Sequence, residues 1–524
     1  MSAQLSRDDW RSRIGGLSYR NQAFIGGKFA PSLTGKTFDC VNPATGQVLT
    51  KVAACEQADV DAAVKAARAA FEKGTWANMP PANRKRIMLK LAELMMKNRD
   101  ELALLETLDM GKPIAYSTRV DIPGSANTVQ WFGEAIDKIY DEVAPTPGNV
   151  VAMITREPAG VVAAVVPWNF PLLMACWKIS PALAAGNSVI LKPAEQSPLT
   201  AIRLAELAAE AGIPEGVFNV LPGFGETAGQ ALGRHMDVDV LAFTGSTEVG
   251  KYFLKYSGES NMKQVWLECG GKSPNIVLGD APDLDVAAQR TAFGIWFNQG
   301  EVCTAGSRLI VEDKIKDQFL EKVMAIGQKM MPGDPLDPKT QMGAMVDEVQ
   351  TKRVMGYTGD PLDPKTQMGA MVDEVQTKRV MGYIEAGQKE GAKLKMGGRQ
   401  VHVDNAGSFI EPTVFDQVNN KMKIAQEEIF GPVLSVIPVK DADQALAVAN
   451  DTIYGLASAI FTADINKAFK FAKGLRTGSV WVNTYDGGDI TTPFGGYKQS
   501  GIGRDKSLHA FDKFTQVKTT WIQL

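Results

Sequence analysis

The sequence predicts an α/β protein built on parallel, doubly wound sheets. Short β-branched runs at residues 161–166, 188–191, 217–221 and 238–243 alternate with helical patterns such as 199–212. Repeated strand, helix and strand units of this kind place the strands side by side and the helices on both faces of a sheet. The chain has 524 residues, and at roughly 100 to 200 residues per domain this length predicts more than one domain.

The chain on either side of this region also divides into elements. Residues 58–108 carry apolar side chains at helical spacing and are predicted to be largely helical. After the glycines at 270 and 271 the alternation restarts, with strands at 275–278 and 307–311 around a helix at 287–298. We therefore expect two α/β domains that meet near these two glycines.

Composition and charge exclude several classes of protein. Hydrophobic residues make up 45% and charged residues 22% of the chain, which is typical of a folded globular protein and excludes a disordered chain. The net charge of -3 offers no basic excess, so we expect no nucleic-acid or membrane partner. No segment approaches the roughly 18 consecutive apolar residues of a membrane helix, and no apolar stretch follows the charged N-terminus. The sequence therefore predicts a cytoplasmic protein.

The cysteines indicate one reactive thiol rather than disulfides or a metal site. Five cysteines without a CxxC pair fit neither a disulfide framework nor a zinc site, and no metal is expected. Cys303 follows a predicted helix in a loop, whereas Cys40, Cys55 and Cys176 are interpreted as packing residues. The three histidines lie outside any site-like context, which argues against a cysteine protease. Cys303 is therefore the candidate nucleophile.

One segment is duplicated: residues 333–357 recur, residue for residue, as 359–383. Solenoids stack several units, so a single identical duplication predicts a tandem insertion rather than an architecture. The helical pattern of the second copy continues through Ile384, whereas that of the first copy ends at Thr358. We therefore expect the first copy to be displaced from the fold.

Two glycine-rich turns follow predicted strands. Gly245 and Ser246 lie between the strand at 238–243 and a helix, where free N–H groups and the helix dipole attract phosphate. Gly225 and Gly229 form a second turn into a helix. Both turns predict a phosphate site, although each of them fits a plain βα turn equally well.

A cation and a carboxylate follow the predicted strand at 188–191. Lys192 and Glu195 would stand at the carboxyl edge of the sheet, where nucleotide riboses bind. A carboxylate there accepts hydrogen bonds from ribose hydroxyls and repels a 2′-phosphate, so Glu195 favours NAD over NADP. A solvated pair of loop charges is the alternative.

Two polar side chains could assist chemistry at a thiol. Glu268 lies between apolar residues and a double glycine, where burial raises a carboxyl pKa and suits it to act as a general base. Asn169 follows a predicted strand and carries amide N–H groups that can stabilise an oxyanion. A structural glutamate and a turn asparagine are the alternatives.

These motifs together resemble the aldehyde dehydrogenase superfamily over nearly the whole chain. The resemblance implies the oxidation of an aldehyde to a carboxylic acid with NAD. It also implies that fold: a Rossmann-like NAD-binding domain, an α/β catalytic domain and a small β extension for oligomerisation. The segments that carry the resemblance are 167–171, Lys192 with Glu195, 243–250, 267–272, 300–303, 427–432 and 493–498.

The resemblance also implies how the chain divides. Residues 1–140 and 160–271 would form the NAD-binding domain, and 272–482 would form the catalytic domain that contains the repeat. Residues 141–159 and 483–524 would supply the extension and an anchor loop. Self-association as a homo-oligomer, either a dimer or a tetramer, follows from this assignment.

By resemblance, Cys303 attacks the aldehyde carbon, and the Asn169 side chain and the Cys303 backbone N–H hold the oxyanion. Glu268 would then activate the water that hydrolyses the thioester. Because coenzyme A-acylating relatives lack this glutamate, a free carboxylic acid is the expected product. The implied cofactor contacts are Val166, Trp168, Lys192, Glu195, Gly225, Gly229, Phe243, Gly245, Ser246, Gly250, Glu428 and Phe430.

Within the superfamily the chain is most similar to dehydrogenases of polyamine and arginine breakdown, which oxidise 4-(γ-glutamylamino)butanal or 4-guanidinobutanal. The similarity lies in residues 106–113, 481–489 and 493–505. Asp121, Asp486 and Asp489 could meet the cationic end of an ω-amino or guanidino aldehyde, or could be ordinary surface charges. An aromatic tunnel is expected from Phe170, Met174, Trp177, Phe297 and Phe494.

Other functions stay open at this point. Betaine aldehyde or a broad range of aliphatic aldehydes could be the substrate. The duplication could have left an NAD-binding relative without catalysis, and a thiol hydrolase is a third possibility. In the repeat, either Gln350 and Lys352 or Gln376 and Lys378 would lie near the nicotinamide end.

Overall fold

A computed structural model describes residues 5–343, 374–403 and 406–524. The predicted α/β class is confirmed, because parallel strands alternate with helices through most of this chain. The helices, in chain order, are α1 Arg7–Ile14, α2 Gln57–Lys73, α3 Pro81–Lys97, α4 Arg99–Met110, α5 Ile114–Tyr116, α6 Ile122–Ala135, α7 Pro171–Ala185, α8 Leu199–Ala211, α9 Gln230–Arg234, α10 Thr247–Gly258, α11 Leu284–Trp296, α12 Asp313–Gly327, α13 Glu374–Lys389, α14 Lys423–Gln426, α15 Ala442–Asn450 and α16 Ile465–Gly474.

The strands form two large sheets and three small ones within the described residues. In chain order they are β1 Ala23–Ile25, β2 Lys28–Ala30, β3 Thr37–Asn42, β4 Gln47–Ala53, β5 Glu142–Ala144, β6 Val150–Pro158, β7 Val161–Val165, β8 Ser188–Lys192, β9 Phe218–Val220, β10 Val240–Thr244, β11 Gln264–Glu268, β12 Pro274–Val277, β13 Arg308–Glu312, β14 Lys393–Met396, β15 Gln400–Val403, β16 Ala406–Ile410, β17 Thr413–Asp416, β18 Val433–Val439, β19 Ala457–Phe461, β20 Ser479–Val482, β21 Gly501–Ile502 and β22 Thr515–Gln523.

The first large sheet has the order β2-β1-β9-β8-β7-β10-β11-β21, and its five strands from β9 to β11 are parallel. Strands β7, β8 and β10 are buried along their whole length, which explains their continuous apolar runs. The chain winds outward from β7 in one direction and from β10 in the other. A crevice therefore opens at the carboxyl ends of β7 and β10, where the strand order reverses.

The second large sheet has the order β14-β17-β18-β13-β12-β19-β20, and only the edge strand β14 is antiparallel. The chain passes from the first sheet to the second between the end of β11 at Glu268 and the start of β12 at Pro274. Strand β21 returns to the first sheet and pairs with β11, with Gly501 opposite Glu268. This return brings the C-terminal part of the chain to the carboxyl edge of the first sheet.

A small sheet of β22, β6 and β5 stands apart from the two large sheets. Residues of β22 pair with β6 along its entire length. Val143, Val517 and Trp521 on this sheet are 73%, 62% and 60% exposed. This apolar surface belongs to the segments for which self-association is predicted. The division of the chain into an NAD-binding domain, a catalytic domain and an extension stays a prediction.

The repeat is packed as a composite of its two copies. In the first copy, Met342 is fully buried and the Gly343 N–H donates to the Gln299 side-chain oxygen at 2.7 Å. In the second copy, Val380 and Tyr383 of α13 are buried in the core of the second sheet. The prediction that the first copy is displaced is therefore wrong for residues 333–343, because these residues pack against the fold.

We expect that removal of residues 344–369 leaves the packing of the described residues unchanged. Residue 359 repeats residue 333, an offset of 26 positions, so this deletion joins residue 343 to Ala370 and leaves one complete copy. Thermal unfolding of the shortened chain should show a Tm within about 1 °C of the full chain, which for a chain of this length is a difference of about 1 kcal/mol in unfolding free energy.

A matched control removes residues 333–343 from the shortened chain, so that no copy supplies Met342 or the Gly343 N–H. This control should lower the Tm well beyond that margin, because a buried side chain and a buried hydrogen bond are lost. A large fall in Tm for the first deletion alone would contradict the composite arrangement.

Candidate active site

The carboxyl ends of the parallel strands bring the predicted chemistry together. Asn169 follows β7, Ser246 follows β10, and Glu268 is the last residue of β11. These three strands are neighbours in the order β7-β10-β11. These three side chains, which come from different sequence motifs, therefore lie at one edge of the first sheet.

A cavity of about 360 Å³ opens at this edge and reaches Cys303. Its wall is mainly aromatic and aliphatic, with a few polar groups, as is usual for a small-molecule site. The residues predicted from sequence that line it are Trp168, Asn169, Phe170, Met174, Trp177, Gly245, Ser246, Glu268, Phe297, Cys303, Glu428, Phe430, Asp486 and Phe494.

The loop before Cys303 has a strained backbone. Asn298 and Gln299 adopt φ angles of 46° and 57°, and Gly300 follows with 73°. A side chain at Gly300 would collide with the Gly431 carbonyl, so glycine is required there. Conformations of this kind cost about 1 to 3 kcal/mol per non-glycine residue and persist only where packing enforces them. The packing of this loop therefore determines where Cys303 meets the cavity.

Asn169 is tied to the same loop. Its side-chain amide donates to the Glu301 carbonyl at 2.7 Å, and the Asn298 amide donates to the Asn169 carbonyl at 3.2 Å. A side-chain amide carries two N–H groups, so one remains for a ligand in the cavity. Asn169 thus has the fixed donor that an oxyanion site needs, next to the cysteine loop.

The Cys303 thiol lies in an environment that disfavours its ionisation. Burial raises its pKa, and the nearby carboxylates of Glu428, Asp486 and Glu268 raise it further. The thiol is therefore protonated before any ligand arrives. Nucleophilic attack requires that its proton pass to a base as the bond to the substrate forms.

Glu268 is a buried carboxyl without a hydrogen-bond partner among the described residues. Burial raises its pKa well above the usual value, and the negative charge of Asp505 raises it further. A side chain at Gly495 would lie 2.7 Å from Glu268 Oε1, so the glycine leaves room for this carboxyl. Glu268 is therefore a base that gains function as the pH rises.

A buried charge cluster next to Glu268 was not predicted from the sequence. Lys178 of α7 contacts Asp505 at 2.5 Å, and Lys513 contacts the second oxygen of the same carboxylate. All three side chains are almost fully buried. Lys178 and Asp505 are 327 positions apart, and no local pattern indicates that they meet.

Lys192 and Glu195 form the pair that their spacing suggested, with 3.0 Å between the ammonium and the carboxylate. The Val166 N–H donates to the Lys192 carbonyl at 3.1 Å, which continues the pairing of β7 and β8 to the edge of the crevice. Both charges stand at the carboxyl end of β8. They lie outside the cavity wall, on the sheet edge where a nucleotide ribose would lie.

The two glycine turns differ in their local packing. A side chain at Gly225 would meet open space, whereas one at Gly245 would collide with the Phe243 ring. Ser246 caps α10 and accepts from the Val249 N–H at 3.2 Å. Gly229 lies in the helical turn that begins at Gly225. Both turns therefore expose backbone at the start of a helix, as phosphate binding requires.

Gly250 packs closely in the turn of α10. A side chain there would lie 2.9 Å from Cys269 Sγ and 3.4 Å from Leu267, so this glycine allows α10 to approach β11. It is buried and lies outside the cavity wall, as Lys192 and Glu195 do. The cofactor contact at Gly250 stays a prediction.

Glu428 and Phe430 border the cavity from the second sheet. Glu428 accepts from the Gly271 N–H at 3.1 Å, and burial raises its pKa to about 7. Phe430 packs edge-on against Trp168, with ring centroids 5.2 Å apart. The Gln376 amide donates to the Phe430 carbonyl at 2.8 Å.

The second copy of the repeat therefore supplies the glutamine at this end of the cavity. Gln376 and Lys378 both lie on α13, whereas Gln350 and Lys352 lie outside the described residues. The first copy contributes through Gly343, which supports the strained loop before Cys303. Both copies thus take part in holding the site.

The residues at the sheet edge suit a dinucleotide. Thr244, at the end of β10, has a buried hydroxyl without a hydrogen-bond partner among the described residues. The exposed glycine backbone, the helix start at Ser246 and the carboxylate of Glu195 surround the same crevice. These are the donors and acceptors that pyrophosphate and ribose need.

Asp121 is corrected, because it does not meet the cavity. It is fully buried and accepts a hydrogen bond from the Lys112 ammonium at 3.0 Å. The Glu106 carboxylate lies 3.7 Å from the same ammonium. Asp486 does line the wall, where its carboxylate accepts from the Thr304 hydroxyl at 3.3 Å. Asp489 is exposed and binds Thr491 instead.

Several wall residues were not singled out from the sequence as site residues. They lie in segments that are far apart in the chain, and the folded chain brings them together at the cavity. They include Val120, Leu173, Val302, Thr304, Arg379, Trp481, Thr492, Asp505 and Lys506.

A thiol, an amide donor and a high-pKa carboxyl share one cavity beside a dinucleotide crevice. This arrangement suits a nicotinamide-dependent oxidoreductase that acts on a carbonyl carbon with the help of a thiol. The profile of the aldehyde dehydrogenase family matches residues 29–358 and 357–520. The chain belongs to the aldehyde dehydrogenase family, and it is an enzyme that oxidises aldehydes with NAD(P).

Individual relatives agree with this assignment. The NADP/NAD-dependent aldehyde dehydrogenase PuuC of Escherichia coli is 51% identical over 517 residues, which cover 98% of each chain. A crystal structure of indole-3-acetaldehyde dehydrogenase with NAD+ is 57% identical with a TM-score of 0.94, and covers 99% of this chain and 100% of that one. The gamma-glutamyl-gamma-aminobutyraldehyde dehydrogenase of Burkholderia cenocepacia is 55% identical with a TM-score of 0.92, over 99% and 100% of the chains.

In the part of the chain that the structure describes, no helix is both long and apolar enough to cross a membrane.

Proposed function

We propose that this enzyme oxidises an aldehyde whose far end carries nitrogen, of the ω-amino, guanidino or γ-glutamylamino butanal type, to the free acid. The observation that carries this proposal is the Asp486 carboxylate on the wall of a cavity that is mainly aromatic and aliphatic and that leads to Cys303. An extended aldehyde that reacts at Cys303 would direct its other end toward this wall. The name of the Burkholderia relative agrees with such a substrate.

In the proposed reaction the Cys303 sulfur bonds to the aldehyde carbon as the thiol proton passes to a water molecule in the open cavity, and the carbonyl oxygen becomes an oxyanion. The second N–H of Asn169 and the Cys303 backbone N–H stabilise that oxyanion. The oxyanion then becomes the carbonyl of a thioester as the hydride leaves the same carbon; the role of bound NAD(P) would be to supply the acceptor for that hydride. Glu268 then takes a proton from water, which attacks the thioester carbon and releases the acid with the thiolate of Cys303.

The cofactor would lie along the carboxyl edge of the first sheet. Lys192 and Glu195 would bind the adenosine ribose, Gly225, Gly229 and Phe243 would lie near the adenine and pyrophosphate, and Glu428 with Phe430 would hold the nicotinamide ribose and ring. The negative charge of Glu195 opposes a 2′-phosphate, so we propose that NAD is preferred over NADP.

Asp486 is suited to a cationic substrate end. Its pKa is raised because the surrounding chain withdraws its carboxyl from water. A cation beside it would reverse part of this effect and favour the charged form. Asp486 also keeps an exposed surface, so a nitrogen cation at the end of the aldehyde can reach its carboxylate.

A neutral aromatic aldehyde is the second candidate. Phe297 packs against Tyr116 with ring centroids 4.9 Å apart and against Phe293 at the same distance. This aromatic wall would suit a flat ring, and one similar crystal structure is an indole-3-acetaldehyde dehydrogenase. Betaine aldehyde and simple aliphatic aldehydes remain the other alternative substrates to be compared in the assay.

NADH or NADPH formation from 4-aminobutanal, 4-guanidinobutanal, betaine aldehyde, indole-3-acetaldehyde and butanal tests the proposal. In the Asp486→Asn variant we expect kcat/KM for the two cationic butanals to fall about 10-fold, in line with the loss of a charged hydrogen bond. The rate with butanal should stay within about twofold. Asp489→Asn is the matched control, because Asp489 is exposed and does not line the cavity. An equal fall for butanal would contradict recognition by Asp486.

We also propose that the sheet of β5, β6 and β22 joins subunits into a dimer or tetramer. The exposed Val143, Val517 and Trp521 on this sheet support the proposal, because exposed apolar patches mark interaction surfaces. The predicted cytoplasmic location stays a prediction.

A further inference from the structure

Lys506 is a cation on the cavity wall that the proposed reaction does not use. It is half-buried and lines the cavity together with Asp486, whose pKa burial raises and the positive charge of Lys506 in part lowers. Its ammonium makes no hydrogen bond or ion pair with any described residue, and it lies over the Trp177 ring, 5.4 Å from the centroid. The cavity therefore contains an ammonium that no carboxylate of the described residues pairs with.

Two neighbours define the position of Lys506. The face of the Trp177 ring attracts the ammonium. The backbone of Gly488 is also close, since a Cβ atom built there would be in van der Waals contact with Lys506 Nζ at 3.5 Å. The ammonium is thus placed next to the loop that carries Asp486 and Asp489.

Lys506 and Asp486 carry opposite charges but form no ion pair with each other. Burial lowers the pKa of Lys506, and the carboxylates of Asp489, Asp486 and Asp505 oppose this effect. Asp486 uses its carboxylate on the Thr304 hydroxyl, and Asp489 binds Thr491. Two opposite charges therefore line the cavity without forming an ion pair with each other. Partial burial of an unpaired charge costs free energy, which a ligand of opposite charge would offset.

One ligand group could form ion pairs with both Lys506 and Asp486. A carboxylate meets Lys506 and an ammonium meets Asp486 only if the ligand carries the two groups close together. An α-amino acid group has this chemistry, whereas a simple amine leaves Lys506 unpaired and places a second cation beside it. A neutral ring satisfies neither charge.

We propose that Lys506 binds a carboxylate on the far end of the substrate while Asp486 binds the neighbouring ammonium. The preferred substrate is then an aldehyde that ends in an α-amino acid group, linked through a chain long enough to reach Cys303. This inference rests on the proposed function, and it selects the zwitterionic member of the substrate class. Lys506 is a specificity residue that contacts the substrate far from the reacting carbon.

The test compares 4-(γ-glutamylamino)butanal, 4-aminobutanal and butanal with the wild-type enzyme and with Lys506→Met. We expect the wild type to prefer the γ-glutamyl aldehyde. The variant should lose about 10-fold to 100-fold in kcat/KM for that aldehyde, mainly through a higher KM, since a charged hydrogen bond is removed. Butanal should stay within about twofold, and Lys506→Arg should recover part of the loss. Lys440→Met is the matched control, because Lys440 is exposed and does not line the cavity.

Binding of the product acid, 4-(γ-glutamylamino)butanoate, separates the two proposals. Calorimetry should show about 10-fold weaker binding to Lys506→Met than to the wild type. Equal loss for all three aldehydes, or unchanged binding of the acid, would overturn the role of Lys506. If the wild type oxidises none of the aldehydes, the proposed function is wrong, and binding of the acid still decides whether Lys506 recognises a carboxylate.

Discussion

Replacement of Cys303 by alanine is expected to reduce aldehyde oxidation by about 10⁴-fold or more while NAD(P) binding persists. The reason is that the sulfur forms the covalent bond on which each later step depends. Removal of one member of a catalytic group that acts as a unit commonly costs this much in kcat. The cofactor contacts at the sheet edge are made by other residues, so cofactor affinity should change little.

The measurement is NADH formation under single-turnover and steady-state conditions, with cofactor binding followed by quenching of protein fluorescence. Cys40→Ala is the control, because Cys40 is buried in the hydrophobic core and does not line the cavity. That variant should lose some stability and keep its rate. If Cys303→Ala still oxidised aldehydes at more than about one hundredth of the wild-type rate, Cys303 would not be the nucleophile.

Replacement of Glu268 by glutamine is expected to leave a burst of NADH and to slow the steady state by about 10²-fold to 10⁴-fold, the range for loss of a general base. The first half of the reaction, up to the thioester, uses Cys303 and Asn169. Hydrolysis of the thioester needs a base for water, and the glutamine amide cannot take that proton. Stopped-flow absorbance at the NADH band resolves the burst from the slow phase.

The pH dependence gives a second readout for Glu268. Because burial and Asp505 raise its pKa, the carboxyl is protonated below that pKa and becomes a base as the pH rises through it. The steady-state rate of the wild type should therefore climb with pH, and the variant should lose this step. Glu72→Gln on the exposed side of α2 should keep the wild-type profile. An unchanged steady-state rate in Glu268→Gln would reject the assigned role.

The sequence predicted the α/β class and placed Asn169 and Ser246 after strands with a clear apolar pattern. Parallel strands deliver their carboxyl ends to one edge, so such residues can be expected near each other without a structure. The shared site with Glu268 and the aromatic wall were expected from the family resemblance. The prediction that Asp121 meets the substrate was wrong, because the sequence does not show that Lys112 and Glu106 form a buried charge cluster with it.

The sequence alone determined the reaction class, the candidate nucleophile and the carboxyl edge that carries the site, since these depend on local patterns and on strand order. Only the tertiary structure showed that Lys178 and Lys513 surround Asp505 beside Glu268, that Lys506 faces the cavity, and that the two repeat copies share one packed unit. These features arise from contacts between segments hundreds of residues apart. Such contacts are decided by how side chains fill the interior, and no spacing within the chain records them.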